Sequence, residues 1–459
     1  MKRFVMLLAA TLTLASCTDY KALYNSIVKE ISDEAYNGRS VYGDGDIRVA
    51  KYLIDQLSSF EGIVPCEAAG PEDQSVRPYL KSLVEPADEG RWKVVEGKEK
   101  YLPYLQHFQF PMNVMRGEMS LSVDGVAYAP TFDFTVKEFS PACHGFFKVT
   151  YLDEEAYRRE GFMEHLCSGI YRDQFVVIDW NRYLETVRPD PFDKYKPWLT
   201  ELENIGGIIL RQEEQFPYFK ARTYYQSKCP VLFVNKSFPD GAREIELHLD
   251  AEMLPTRDAH NIVAWLPGTD PTCETYYTIF GHYDHLGYMG ADQVFPGAND
   301  NGSGTAMVVT LAKYFSKNRP RHGIQFILLD AEEENLLGSF FYCENPRLPL
   351  DKIEYMIDLD MVADDSDHLA TQITPGGEAG LERFRQLNAS SKFPPFDIVM
   401  EEMNDDSDHF SFAQKGVPGI YFETIGSIIP YYHTPRDTYQ NTRDDNFDRL
   451  FDMIVRFVE

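Results

Sequence analysis

Positive charge is scarce in this chain. Its 459 residues carry 44 Lys and Arg against 72 Asp and Glu, a formal net charge of -28. Phosphate recognition needs a basic face, so nucleic acid is excluded as a partner. Electrostatic adhesion to anionic lipid is excluded on the same ground. The acidity reads chiefly as solubility, with a smaller share from carboxylates gathered to hold divalent metal. Cysteine is sparse too. Beyond Cys17 there are Cys66, Cys143, Cys167, Cys229, Cys273 and Cys343, and none forms a CxxC pair. That removes a thiolate zinc site and a thioredoxin-like motif, and leaves any disulfide pairing undefined. The apolar run Phe4–Leu14 is too short to cross a bilayer. An HExxH helix is missing, which sets aside the single-zinc proteases built on it. Internal repeats and low-complexity tracts are missing as well. What is present is 44% hydrophobic residues, with 14% aromatics, enough to build a core. The length suits two or three domains.

Lys2 and Arg3 precede the apolar run, and Leu14-Ala15-Ser16-Cys17 closes it. This ending resembles a bacterial lipoprotein box, in which the cysteine becomes the acylated N-terminus after cleavage. The expectation is a signal peptide over 1–16 and export to the bacterial cell envelope. Cys17 then anchors the chain at the periplasmic face or the outer membrane, and is its sole membrane contact. An ordinary cleaved signal with a chance cysteine is the plainer alternative.

Helices are expected over Tyr20–Ile31 and Ile47–Phe60, and a strand over Tyr101–Phe110. From 116 to 252 short strand-like runs recur between polar, aromatic and proline-rich connections. No His, Asp and Glu cluster of ligand type falls there, so a scaffold role is expected. From Asn261 onward strand and helix alternate, which predicts an open, mostly parallel mixed α/β sheet flanked by helices.

In such a sheet ligands bind outside the carboxyl ends of the strands. Here acidic residues and histidines sit at one expected strand end after another. His282 and Asp284 follow the run ending at Phe280, and Asp330 to Glu333 follow Leu329. Asp358 and Asp360 close the next run. A neutral imidazole ligates zinc, and its second nitrogen needs an orienting partner, which Asp284 can be for His282. Gly297 to Gly304 form a glycine-rich turn that can set Asp300 against a metal; Asn301 or Ser303 can also cap the following helix. Of the adjacent Glu332 and Glu333, one can bind metal while the other serves as general base. An acidic first helical turn is the plainer reading of that pair. His433 adds a second histidine. The inventory fits two zinc ions bridged by one carboxylate and one water.

Taken in order, these motifs resemble those of the co-catalytic zinc metallopeptidases of clan MH, in the branch of aminopeptidase Y and glutamate carboxypeptidase. Gly38-Arg39 and Ala50-Lys51-Tyr52-Leu53 resemble the family's opening helices. The resemblance implies a zinc aminopeptidase-like fold whose first part is 17–115 and whose zinc peptidase core is 253–459. It implies that 116–252 is an inserted, smaller, β-rich protease-associated-like domain. It further implies that His282 and Asp360 bind one Zn2+, Glu333 and His433 the other, and that Asp300 bridges them. Glu332 would be the general base, Asp284 would orient His282, and Tyr432 would steady the oxyanion. Ser407-Asp408-His409 resembles a segment near the substrate, with Asp408 in support. The family often has Asn at position 358 and Gly at 335 and 363, where this chain has Asp358, Asn335 and Ala363.

The implied activity is removal of N-terminal residues from peptide substrates. A glutaminyl cyclase of the same fold, a carboxypeptidase or dipeptidase, and a non-catalytic binding module are the competing readings. The cyclase keeps one zinc and lacks the Asn-Gly-Ser-Gly continuation found at 301–304. A carboxypeptidase calls for an arginine cluster, and none stands out. Nothing in the chain speaks to oligomeric state.

Overall fold

The computed structural model describes residues 19–41, 43–66, 82–158, 160–187, 202–212, 224–291 and 293–459. Residues 1–16 and Cys17 lie outside the described residues, and with them the expected lipoprotein signal.

The site is positioned by a ten-stranded sheet. Its strands are β1 (Val64–Pro65), β2 (Glu85–Pro86), β3 (Leu105–Val114), β4 (Glu252–Leu266), β5 (Tyr276–His282), β6 (Gly323–Leu329), β7 (Ile353–Leu359), β8 (His368–Ile373), β9 (Asp397–Met400) and β10 (Gly419–Thr424). The order across the sheet is β9-β8-β10-β7-β5-β6-β4-β3-β2, with β1 beside β4. The four central strands, β10, β7, β5 and β6, run parallel, while β4, β3 and β2 are antiparallel on one flank. The fold is therefore α/β and mixed, parallel where it carries the candidate ligands.

Strands β5 and β6 are buried along their full length, and β7 everywhere but at Glu354, as expected of parallel strands covered on both faces. Alternate side chains feed two cores. Ile279, Phe326 and Ile357 join the larger core on one face, and Phe280, Ile327 and Met356 the smaller one opposite. Helices 19–31, Gly45–Ser58, Gly304–Lys317 and Phe447–Val458 contribute the larger core; in the second of these Ile47, Ala50, Leu53, Ile54 and Leu57 share one face at helical spacing.

The expected strand at Tyr101–Phe110 begins later, at Leu105, and runs on to Val114. Leu102–Tyr104, with Pro103 inside it, forms a 3-10 turn instead. Pro111 does not end the strand, because the β3–β4 pairing shifts register between Leu254 and Arg257, opposite it. Proline has no N–H to give a ladder, and a bulge tolerates it.

A second sheet of eight strands spans Met119 to Leu249 and has its own apolar core. That core also takes in Leu286, Met289 and Phe295 from the segment after β5.

Candidate metal centre

Parallel strands bring their carboxyl ends to one edge, and the candidate ligands gather there. His282 is the last residue of β5 and pairs with Leu329, the last of β6; Asp360 follows β7 directly. The chain leaves β5 toward β6 on one side and returns to β7 on the other. The residues thus lie at a topological switch point of the sheet.

Asp300 is the hub. Its Oδ1 lies 3.5 Å from His282 Nε2, and its Oδ2 lies 3.0 Å from His433 Nε2. Asp360 Oδ1 lies 3.5 Å from His282 Nε2, and Glu333 Oε2 lies 3.3 Å from His433 Nε2. All five side chains are buried or nearly so. Glu332 Oε2 lies 3.7 Å from His282 Nε2 and belongs to neither pair.

The surroundings fix these positions. Asp284 accepts the backbone N–H groups of Glu332 and Glu333 at 3.1 and 3.3 Å and faces His282 Nδ1 at 3.5 Å. One carboxylate therefore sets both the glutamate turn and the imidazole. Asp437 accepts the N–H groups of Asn299 and Asp300 at 2.8 and 2.9 Å. Asn301 donates to the Leu359 carbonyl and accepts from Gly304 N, so it caps the helix and ties the turn to the end of β7. Gly297 has φ +61°, and a Cβ there would run into Asp300 O and the His285 ring. Beneath the turn Arg39 is fully buried. It donates to the carbonyls of Ile31, Tyr283, Pro296, Gly297 and Asp300.

Electrostatics separate the two glutamates. Burial, with repulsion from Glu333, Asp408 and Asp360, holds Glu332 well above the usual carboxyl range, against the pull of His282. Burial also pushes Glu333 upward, yet His433 and His285 hold it well below that range. Burial and then the neighbouring Asp360 raise Asp358 to about 8. Tyr432 stacks on His433 with ring centroids 3.7 Å apart, and its burial keeps the phenol protonated.

The donor set fits zinc. His282 Nε2, Asp300 Oδ2 and Asp360 Oδ1 are buried without a hydrogen-bond partner among the described residues. Imidazole nitrogens and carboxylate oxygens turned toward common points are what this ion takes. Ser407 donates to the other Asp360 oxygen at 3.0 Å, an outer contact of the kind that orients ligands.

Two residues escaped the sequence reading. His285 Nδ1 lies 2.8 Å from Glu333 Oε1, without hydrogen-bond geometry, and 3.8 Å from Asp300 Oδ2. It does not line the cavity, but with Asp300 and Glu333 it forms a largely buried group that could itself hold a metal ion. Glu423, at the carboxyl end of β10, lines the cavity, and burial then Asp360 raise it to about 8. The strand-end logic that picked Asp360 applies to it equally. Asp408, expected in a supporting role, is fully buried and outside the cavity lining, and its charge helps raise the Glu332 carboxyl. Its own carboxyl is raised well above the usual range by burial and Asp358.

A further buried group, Asp46, His260 and Asp330, is built differently. Arg91 already pairs with Asp46, and Asp330 accepts His260 N at 2.7 Å. It reads as internal support for the sheet.

Comparison with known proteins agrees with this geometry. Residues 261–458 match the model of Peptidase family M28. Aminopeptidase YwaD of Bacillus subtilis is 28% identical over 188 residues, 39% of this chain and 40% of that protein. A probable leucine aminopeptidase 2 of Aspergillus fumigatus is 29% identical over 188 residues, 39% of this chain and 35% of that protein. The matches thus span well under half the length of these curated relatives. A zinc aminopeptidase structure from Bacillus subtilis superposes with a TM-score of 0.65 at 17% identity, covering 95% of this chain and 94% of that one. The aminopeptidase from Aneurinibacillus sp. strain AM-1 gives 0.63 at 19%, covering 95% and 93%. Residues 261–458 are therefore similar to Peptidase family M28, and the chain has the mixed α/β fold of the zinc aminopeptidase structures.

Proposed function

We propose that the protein is an exported, zinc-dependent aminopeptidase with two metal positions. The observation that carries this reading is Asp300, whose two oxygens face two different histidines. His282 and Asp360 would hold one ion, Glu333 and His433 the other, and Asp300 would bridge. When bound, zinc would polarise the scissile carbonyl and acidify the attacking water.

The rest falls to the chain. Glu332 stands beside the ligands without belonging to either pair, and its raised carboxyl favours proton uptake. It takes the proton from the attacking water and passes it to the leaving amine nitrogen. The Tyr432 hydroxyl donates to the oxygen that gains charge as the carbonyl becomes tetrahedral. Asp284 and Arg39 hold the ligand turns and touch no substrate. The segment 116–252 is read as a protease-associated-like scaffold domain.

Export and anchoring through Cys17 rest on the N-terminal residues. Among the described residues no helix is long and apolar enough to cross a membrane. Cys17→Ser should move the protein from the membrane fraction to the soluble fraction of the envelope.

The central test is metal analysis with a panel of aminoacyl and N-blocked substrates. Two zinc ions per chain and cleavage of free N-termini only are expected. One zinc per chain, or ring closure of N-terminal glutamine without hydrolysis, overturns the reading. Glu332→Gln should keep both ions and lose turnover by about 10²-fold or more. Near-full turnover in that variant would remove Glu332 from the base role.

A further inference from the structure

The cavity over the metal centre has a volume of about 330 Å³. Asp300, Glu333 and Asp360 are committed there to the metals, and Glu332 to proton transfer. Three more carboxylates line the same cavity with neither duty: Asp405, Asp406 and Glu423. Among the described residues no Lys or Arg lines it. Glu423 and the backbone of Asp406 are held in place. Tyr421 donates its hydroxyl to Glu423 at 3.0 Å. Asn404 accepts the Asp406 N–H at 3.0 Å and is itself joined to Gln372. Asp405 and Asp406 are exposed at the rim, whereas Glu423 is half-buried.

The wall is not acidic throughout. Leu336 and Met361, each almost wholly buried, and the ring of Tyr421 give it apolar surface. An apolar wall with carboxylates beyond it suits a side chain made of a methylene stem and a cationic head. In an exopeptidase the terminal residue occupies the closed cavity and the remaining peptide leaves through the mouth. The terminal residue's α-amine needs at most one of these three; at least two remain for its side chain.

We propose that the cavity selects peptides whose N-terminal residue is Lys or Arg, with Asp405, Asp406 and Glu423 as specificity-determining residues. This rests on the aminopeptidase reading. A cationic head group offsets the cost of holding Glu423 half-buried beside Asp360. A terminal Glu or Asp meets repulsion from the same groups.

The test compares Lys, Arg, Leu and Glu aminoacyl-anilides on the zinc-loaded enzyme, then on the Asp405→Asn/Asp406→Asn double variant and on Glu423→Gln. For the unaltered enzyme kcat/KM for Lys and Arg should exceed that for Leu by about tenfold, with Glu poorest. The Lys-to-Leu ratio should fall several-fold in each variant and shrink as salt rises from about 0.05 to about 0.5 M. A Leu substrate cleaved as fast as Lys, or a ratio unmoved by both variants, overturns the proposal. Calorimetric binding of Lys-Leu and Leu-Leu dipeptides to Glu332→Gln reads the same selectivity without turnover. Equal affinity there overturns the proposal while leaving the aminopeptidase reading intact. Failure to cleave any unblocked substrate overturns both.

Discussion

Arg39 shows how one residue far from substrate can govern the metal centre. A single guanidinium donates to five carbonyls, and three of them, from Pro296, Gly297 and Asp300, belong to the turn that places the bridging carboxylate. Only Arg offers a planar fork of five donors. Arg39→Met should leave those buried carbonyls without a donor, at a cost of about 3–5 kcal/mol. Zinc affinity should fall with it, since Asp300 loses its fixed place. Chemical unfolding of the metal-free protein and zinc competition with a chelator check the two effects; an unchanged zinc affinity would mean the turn holds itself. His107 supplies a pH dependence away from the metals. Burial lowers its imidazole from 6.5 to about 4. Above 6.5 it is neutral in both the folded and the unfolded chain. Between 6.5 and about 4 the unfolded chain takes up the proton and the folded one does not, so stability falls as pH falls. Below about 4 both are protonated and the loss levels off. The window holds about 3 kcal/mol. His107→Phe should therefore lose less stability than the unaltered chain between pH 7 and pH 4.5, as read from urea midpoints.

At the scale of elements, the decisive piece is the turn 297–303 that opens the helix Gly304–Lys317. It lies between β5 and β6 in sequence but is stitched to the segment after β7. Asn301 reaches Leu359 O, Ser303 accepts Val362 N, and Asn299 accepts Ala363 N. Asn301→Ala should cost about 1–2 kcal/mol through the lost cap. It should also weaken zinc binding by about tenfold or more, as loss of an outer support does. A variant with full zinc affinity would show that Asp437 and Arg39 suffice to hold Asp300. The alternation of strand and helix after Asn261 was legible because β5, β6 and β7 are largely apolar runs that end in or are followed at once by ligand-type residues. Asp300, Glu333 and His433 were legible through motif order. His285 was not, because a histidine beside an already explained pair carries no periodic or spacing signal of its own. The depth of Asp408 was not legible, because sequence gives its neighbourhood but not its burial. The start of β3 was misplaced because Tyr101 has the right residue type, and only the 3-10 turn around Pro103 excludes it.

At the scale of the whole molecule, the question is whether the second sheet is a removable accessory. Its ends invite removal. Val114, the last residue of β3, is paired with Glu252, the first of β4. A two-residue turn joining them would close a hairpin with no change of register in the central sheet. Packing argues the other way. Leu286, Met289 and Phe295, each no more than 2% exposed, lie in the second sheet's core, not in the core of the sheet that carries the ligands. They come from the segment joining His282, Asp284 and His285 to the turn of Asp300. Thr131 of the second sheet's region also reaches Gln293 at 3.3 Å. Without that sheet three large apolar side chains would face water, at about 1.5–3 kcal/mol each. The segment would then lose the contacts that set the distance between His282 and Asp300. Replacing residues 115–251 by a short turn should therefore yield a protein that aggregates and binds less than its full zinc. Adding Leu286→Ser, Met289→Ser and Phe295→Ser should restore solubility but not zinc binding, because the segment still has nothing to rest on. An excised chain with two zinc ions and near-normal turnover would show instead that the catalytic sheet holds its own loops, and that the second sheet only covers them.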